Sequence, residues 1–263
     1  MEISIEELQT YLDCPAKYLF EHKYNLPKEK NDRTEYNQAI HKTISYLYFS
    51  MLGERLPSAK QMKDKWASIW QEAKGQKGSL KDTLLQDRQP VMTDNRRVRG
   101  DKYVVDGMEL IHNFYHFNKD KFGIPIAVDQ EFRVPINGVT ITGKFELVRE
   151  SIDKSTSNRF IEIVDFKTGS KETDNFLIQN DLRMTIMAYA FRNLFNGQED
   201  RLVYNYLKTG EEVYTRRTEK EFDRMKATIT AVAEGLQNER FYPRQSFMCK
   251  SCPFKDACSL AEF

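Results

Sequence analysis

Two stretches decide the fold: Gly143-Lys144-Phe145-Glu146-Leu147-Val148 and Glu162-Ile163-Val164-Asp165-Phe166-Lys167-Thr168-Gly169. Both alternate in the period-two manner of strands, and a polar connection over 151–158 joins them as a loose hairpin. Alternation puts Asp165 and Lys167 on one side of their strand and Phe166 on the other. If the strands pair, Glu146 approaches Asp165, and two carboxylates and an ammonium group converge. Such a donor set suits a hard divalent cation: Mg²⁺ takes a few carboxylates and keeps waters, and Mn²⁺ also accepts an imidazole. Taken alone, Asp-x-Lys also fits a plain surface ion pair worth about 0–1 kcal/mol.

Working outward, Asn137-Gly138 is a two-residue hairpin signal that joins a strand over 126–134 to the strand over 139–148. A further strand is expected over 159–167 and a hairpin over 202–207 and 211–217. Before these come helical patterns: a capped helix opened by Ser4 and Glu7, a second starting at Pro15, then 36–52, 62–73 and 102–118. Helices are also expected over 176–195 and 219–238. The polar segment 75–100 reads as a long loop or loosely ordered insert. Helices followed by strands and alternating elements predict an α/β fold, a central mixed sheet flanked by helices.

The 263 residues suffice for one large or two modest domains. A 40% hydrophobic and 30% charged composition excludes disorder and collagen-like sequence. Formal net charge is +1, so a polyanion must be held by a local patch. No apolar run reaches the roughly 20 residues of a membrane span, and the start MEISIEEL does not resemble a signal peptide. A cytoplasmic location without membrane contact is therefore expected. The four cysteines are unevenly spread: Cys14 stands alone, while Cys249, Cys252 and Cys258 crowd the end. In a reducing compartment such clustering points to metal, and four thiolates suit zinc or an iron–sulfur cluster alike.

GKFELV, a polar connection and EIVDFKTG resemble the paired motifs of the PD-(D/E)XK nuclease superfamily, in particular its RecB-like branch. The helix carrying His41 is similar to that branch's N-terminal histidine motif. Cys14-Pro15 and the terminal Cys249-x2-Cys252-x5-Cys258 resemble the four-cysteine staple of AddB-type subunits and CRISPR-associated exonucleases. The resemblance implies a restriction-endonuclease-like core in a single domain over 1–263. Residues 1–120 would form a helical N-terminal portion, 121–240 the nuclease core and 241–263 an iron–sulfur tail. It further implies His41, Glu146, Asp165 and the carbonyl of Phe166 as Mg²⁺ or Mn²⁺ ligands, and Lys167 as catalytic. A [4Fe–4S] cluster would sit on Cys14, Cys249, Cys252 and Cys258, with zinc as the alternative. The implied reaction is hydrolysis of DNA, by exonuclease action on single strands or ends. A protein partner in a repair, recombination or CRISPR complex belongs to the same expectation.

Two motifs depart from the family pattern. Glu146 stands where Asp is usual. Arg183 and Met187 stand where the following helix usually has Gln and Tyr. Arg183 is expected to meet DNA phosphate and Met187 to lie in the core. Arg96, Arg97 and Arg99 form the densest basic cluster, with Lys171, Lys208, Arg216 and Arg217 near strand ends and Tyr204, Tyr206 and Tyr214 interleaved as stacking candidates. His112 and His116, one helical turn apart, are read as structural. The departures also allow an inactive or weak DNA-binding accessory protein on the same scaffold. A zinc-stabilised interaction module without nucleic acid is the remaining alternative.

Overall fold

The computed structural model describes residues 1–28, 32–75, 102–153, 155–169, 171 and 174–258. The expected loop within 75–100, and with it Arg96, Arg97 and Arg99, lies outside the described residues apart from Gly75. In chain order the elements are β1 (Glu2–Ser4), α1 (Ile5–Asp13), α2 (Pro15–Tyr18), α3 (Asp32–Leu52), α4 (Ala59–Ala73) and α5 (Lys102–Asn118). They continue with β2 (Ile124–Ile136), β3 (Val139–Ile152), β4 (Arg159–Lys167), α6 (Asn175–Gln179) and α7 (Leu182–Leu194). β5 (Arg201–Tyr206), β6 (Glu211–Thr215) and α8 (Glu219–Gln237) follow. Among the described residues no helix is long and apolar enough to cross a membrane.

Six strands among the described residues form one mixed sheet, the α/β architecture expected from the sequence. β3 is its spine: β2 pairs along one edge, antiparallel, through the Asn137-Gly138 turn, whose two residues take the positive φ that such a turn requires. The other edge of β3 is shared. β1 pairs there in parallel at Thr140–Thr142, and β4 pairs antiparallel only from Leu147 onward, Leu147 opposite Val164. Residues 143–146 therefore lie on an edge without a strand partner among the described residues. Beyond Val164, β4 keeps only its parallel pairing with β5, down to Lys167 opposite Tyr206.

Helices cover both faces. One apolar layer gathers Ile5, Leu8, Phe132, Phe145, Val148, Ile163, Met184, Met187 and Ile229 under α1, α7 and α8. The other gathers Ile40, Ile44, Trp66, Phe114, Val128, Leu147, Val164 and Phe166 under α3, α4 and α5. Regularity breaks twice along the β2–β3 ribbon, at a register shift between Pro125 and Ala127 and again at Asp129 and Glu146. Phe145 and Leu147, two residues apart, point into opposite layers, and Phe132 and Val128 do so on β2. Between them lie Glu146 and Asp129, and Asp129 holds a φ of +46°. The phase change frees Glu146 from either core. Gly143, the first residue of its motif, is explained by packing: a Cβ there would lie 2.6 Å from Ile5 and 2.7 Å from Phe132.

Farther along the β3–β4 pair, Arg149 faces Glu162 in register and is fully buried. Its guanidinium donates to Glu162 at 2.7 Å, to Glu212 at 2.8 Å and to the Lys121 carbonyl at 2.9 Å. Arg201 completes the network on Glu162 at 2.7 Å. Charges taken this far from water require such mutual satisfaction, and removing one member leaves an uncompensated partner.

Two expectations from the sequence are corrected here, and one strand is added. The single helix over 176–195 is two, because Asn180 closes α6 and the Asp181 carboxylate caps α7 by accepting from the Met184 N–H at 3.0 Å. Strand β1 has too few residues for alternation to reveal it. Tyr204 and Tyr206 are buried, and Arg217 lies inside the protein, donating to Thr185 and to the Ile178 carbonyl, so none of the three faces DNA. Lys171 pairs with Glu211, and the Tyr214 hydroxyl donates to Glu212 beneath the Arg201 guanidinium.

Gly107 of α5 tests the helical layer, since a Cβ there would lie 2.0 Å from the buried Trp66 ring. Helix propensity favours Gly107→Ala by about 1 kcal/mol, whereas overpacking costs about 1–3 kcal/mol. At 2.0 Å the clash dominates, so net destabilisation of about 1–2 kcal/mol is expected as a lower urea midpoint at unchanged slope.

Candidate active site

The point where β3 and β4 stop pairing is where the chemistry-bearing side chains meet. The Phe166 N–H, no longer bonded to β3, donates to Glu146 Oε2 at 3.0 Å. The other Glu146 oxygen faces both helical layers: His41 Nδ1 of α3 lies at 3.5 Å and Arg183 Nη2 of α7 at 3.2 Å. Arg183 Nε stands 3.6 Å from Asp165 Oδ1, and its Nη1 reaches Glu6 of α1 at 3.4 Å. One guanidinium thus bridges carboxylates from β3, β4 and α1. Lys167 Nζ forms an ion pair with Asp165 Oδ2 and lies 5.2 Å from the centre of the Tyr204 ring. The period-two expectation for Asp165 and Lys167 holds, and Phe166 is buried on the opposite face.

Electrostatics divide the two acids. Burial pushes Glu146 up, but the hydrogen bond and charge of His41, the Arg183 charge and the Phe166 N–H outweigh it and hold the carboxyl at about 2. Asp165 goes the other way: burial, reinforced by the Glu146 charge, raises it despite Lys167 and Arg183. Burial alone would lower Lys167 and His41. Contact with Asp165 instead raises the lysine, and the bond to Glu146 raises the imidazole. Lys167 in this arrangement keeps its proton, which makes it a charge stabiliser rather than a base.

The donor set fits a divalent cation. Asp165 Oδ2 is buried and accepts no hydrogen bond, its contact with Lys167 being an ion pair without hydrogen-bond alignment. An imidazole and a second carboxylate lie alongside. Even so, among the described residues no three His, Cys, Asp or Glu side chains converge closely enough to enclose a single ion. The reason is visible: Arg183 sits between the carboxylates. The sequence placed Arg183 on DNA phosphate, whereas its guanidinium points inward. Met187 is buried, as expected.

Sequence reasoning missed Glu6 and Asp181. Glu6 read only as an acid in a helix first turn, and nothing local links α1 to β3. Asp181 lines a 240 Å³ cavity beside Lys167 with Gly169, Leu177, Ile178, Tyr204 and Tyr206. The signal for Asp181 was the Asn180-Asp181 pair, a helix stop followed by a helix cap.

The cysteines are gathered at a second place, where among the described residues no three of them converge closely enough to enclose a single ion. Cys14, Cys249, Cys252 and Cys258 all line one cavity of 160 Å³. The chain ends are also tied directly: Tyr11 donates to the Arg240 carbonyl at 2.8 Å, the Ala16 N–H to Tyr242 at 3.1 Å and Arg244 to the Leu12 carbonyl at 2.6 Å. Backbone N–H groups of Arg244 and Ser246 point at the sulfurs of Cys14 and Cys249, each at 3.4 Å. His112 and His116 stack edge-to-face at 4.2 Å, away from both centres.

The sequence model of the PD-(D/E)XK nuclease superfamily matches residues 2–259. Among solved structures, a protein from Eubacterium rectale described as a candidate exonuclease superposes with TM-score 0.54 at 11% identity, over 95% of this chain and 86% of that one. That likeness is one of fold. SSO0001 aligns at TM-score 0.38 and 12% identity over 88% of this chain and 97% of that one, too distant to carry weight. No curated protein matches the sequence.

The opposed carboxylates predict opposite stability effects from the same chemical change. Glu146→Gln removes a depressed acid and should cost about 1–3 kcal/mol at pH 7. That contribution is complete above about pH 4.5 and fades as pH falls toward about 2. Asp165→Asn removes an acid that favours its proton when folded, so the metal-free protein should melt higher at pH 7. Thermal melts in chelator check both signs.

Proposed function

The chain belongs to the PD-(D/E)XK nuclease superfamily, and on that footing we propose that it is a deoxyribonuclease of the RecB-like branch, hydrolysing DNA phosphodiesters with Mg²⁺ or Mn²⁺. The observation that carries this is the meeting of Glu146, Asp165, Lys167 and His41 at the end of the β3–β4 pairing. Asp165 and Glu146 would supply carboxylate oxygens, His41 its imidazole and Phe166 its carbonyl to the cation. When bound, the divalent ion would supply Lewis acidity and make the attacking water more acidic. Every other task falls to the chain. Lys167, held protonated by Asp165 over the Tyr204 ring, stabilises charge developing on the phosphate oxygens. His41 must shed its proton to bind metal, so cation affinity should rise with pH. Exonuclease action on single-stranded or end-containing DNA is the expected mode, and a repair, recombination or CRISPR assembly the expected setting.

The cysteine centre is proposed to hold a [4Fe–4S] cluster with a structural role. Four cysteines on the wall of one 160 Å³ cavity suit a cluster or zinc alike, and the likeness of their spacing to a four-cysteine staple favours the cluster. N–H groups aimed at two of the sulfurs suit thiolate ligands of a cluster. Thiolates from both chain ends would lock α1 to the C-terminal tail.

Incubation with end-labelled single-stranded DNA and Mn²⁺ should give products that chelator abolishes and that Lys167→Ala reduces by at least about 100-fold, the scale of losing one charge stabiliser. Equal cleavage by wild type and variant would remove the enzyme reading and leave the DNA-binding accessory protein. Anaerobic purification should yield brown protein with a broad visible absorption. Colourless protein with stoichiometric zinc would overturn the cluster.

A further inference from the structure

Arg183 occupies the ground that a cation at this site needs. Its Nη2 lies 3.2 Å from Glu146 Oε1 and its Nε 3.6 Å from Asp165 Oδ1, so a single positive group spans both carboxylates. The contact is directed yet incomplete: Arg183 Nε is buried and makes no hydrogen bond, as is true of Asp165 Oδ2. The third arm, to Glu6, is peripheral, at 3.4 Å on a largely exposed carboxylate. Outward from the site, Arg183 lines an open groove with Gln9, Asn180 and Arg224, and with the carboxylates of Asp181 and Glu221. The guanidinium therefore has somewhere to go when its place is taken.

We propose that Arg183 is a displaceable internal counterion: it neutralises the carboxylates while the divalent site is empty, and entry of the cation turns it outward to take a phosphate of the substrate strand. The inference rests on the nuclease reading and deepens it. A dication at the carboxylates leaves no net attraction for a guanidinium there, and a phosphate at the groove offers the bidentate partner that a guanidinium matches. Cation and DNA binding are thereby coupled, since each favours the same outward position of Arg183. The metal-competent state is a minority in the free protein, so the apparent metal affinity is reduced by its population.

The test compares Mn²⁺ binding by calorimetry to wild type, Arg183→Gln and Lys60→Gln, without DNA. Each variant removes one positive charge, but Lys60 is exposed on α4 and only Arg183 spans the carboxylates. Arg183→Gln should bind Mn²⁺ at least about tenfold more tightly than wild type, and Lys60→Gln less than about threefold. Equal tightening by both would reduce the effect to net charge and overturn the displacement. A second readout is the affinity for a fluorescein-labelled single-stranded oligonucleotide with and without Ca²⁺. The gain on adding Ca²⁺ should be large in wild type and mostly lost in Arg183→Gln; an equal gain in both would overturn the coupling. If Arg183→Gln does not fold, Arg183→Lys serves, because an ammonium cannot fork across two carboxylates. Mn²⁺ bound equally by all variants would leave the nuclease reading standing and end this one. No Mn²⁺ binding and no cleavage by wild type would end both.

Discussion

The backbone N–H of Phe166 must find an acceptor once β4 runs past its last pairing with β3, and the Glu146 carboxylate is that acceptor. This bond fixes where the acid sits relative to Asp165 and Lys167 on the neighbouring strand. It also explains why the two strands part where they do. An antiparallel ladder carried two residues further would satisfy Phe166 from the β3 backbone and leave Glu146 on a packed face. The break in alternation at Asp129 and Glu146 turns the carboxylate into the seam between helical layers, within reach of His41 on one side and Arg183 on the other.

A buried acid pair is an unfavourable object, and the surrounding charges are arranged to sustain it. Glu146 has three favourable partners and stays ionised, while Asp165 bears the burial and the repulsion. Arg183 and Lys167 lower the repulsion without filling the coordination of either carboxylate. Stability therefore works against keeping Asp165 ionised in the folded, metal-free protein. The Arg149–Glu162–Glu212 network three residues away along the strand shows the contrast. There every charge is matched, and the cluster serves as a rivet.

Much of this was legible in the sequence because it rests on short-range regularities. Alternation placed Asp165 and Lys167 together, Asn137-Gly138 fixed the hairpin register, and the residues of β4 coincide with the expected strand. What escaped was long-range or aperiodic. Glu6 reaches Arg183 across 177 residues of sequence, and no pattern in α1 reports it. The inward turn of Arg183 depends on the helix break at Asn180-Asp181, which a continuous apolar stripe concealed. Tyr204 and Tyr206 read as half-buried strand aromatics or stacking groups, because residue type alone does not reveal that β5 is flanked by both β4 and β6.

Helix α1 connects the two centres. It presents Glu6 to the guanidinium in its first turn and ends at Cys14, on the wall of the cysteine cavity. Midway, Tyr11 closes over Gly235 of α8, where a Cβ would stand 2.2 Å from the hydroxyl, and donates to the Arg240 carbonyl. The helix is thus held at its base by the C-terminal tail and at its tip by β1, which pairs with β3 at Thr140–Thr142. One nine-residue helix therefore carries a residue to each place, Glu6 toward the Arg183 guanidinium and Cys14 at the wall of the cysteine cavity.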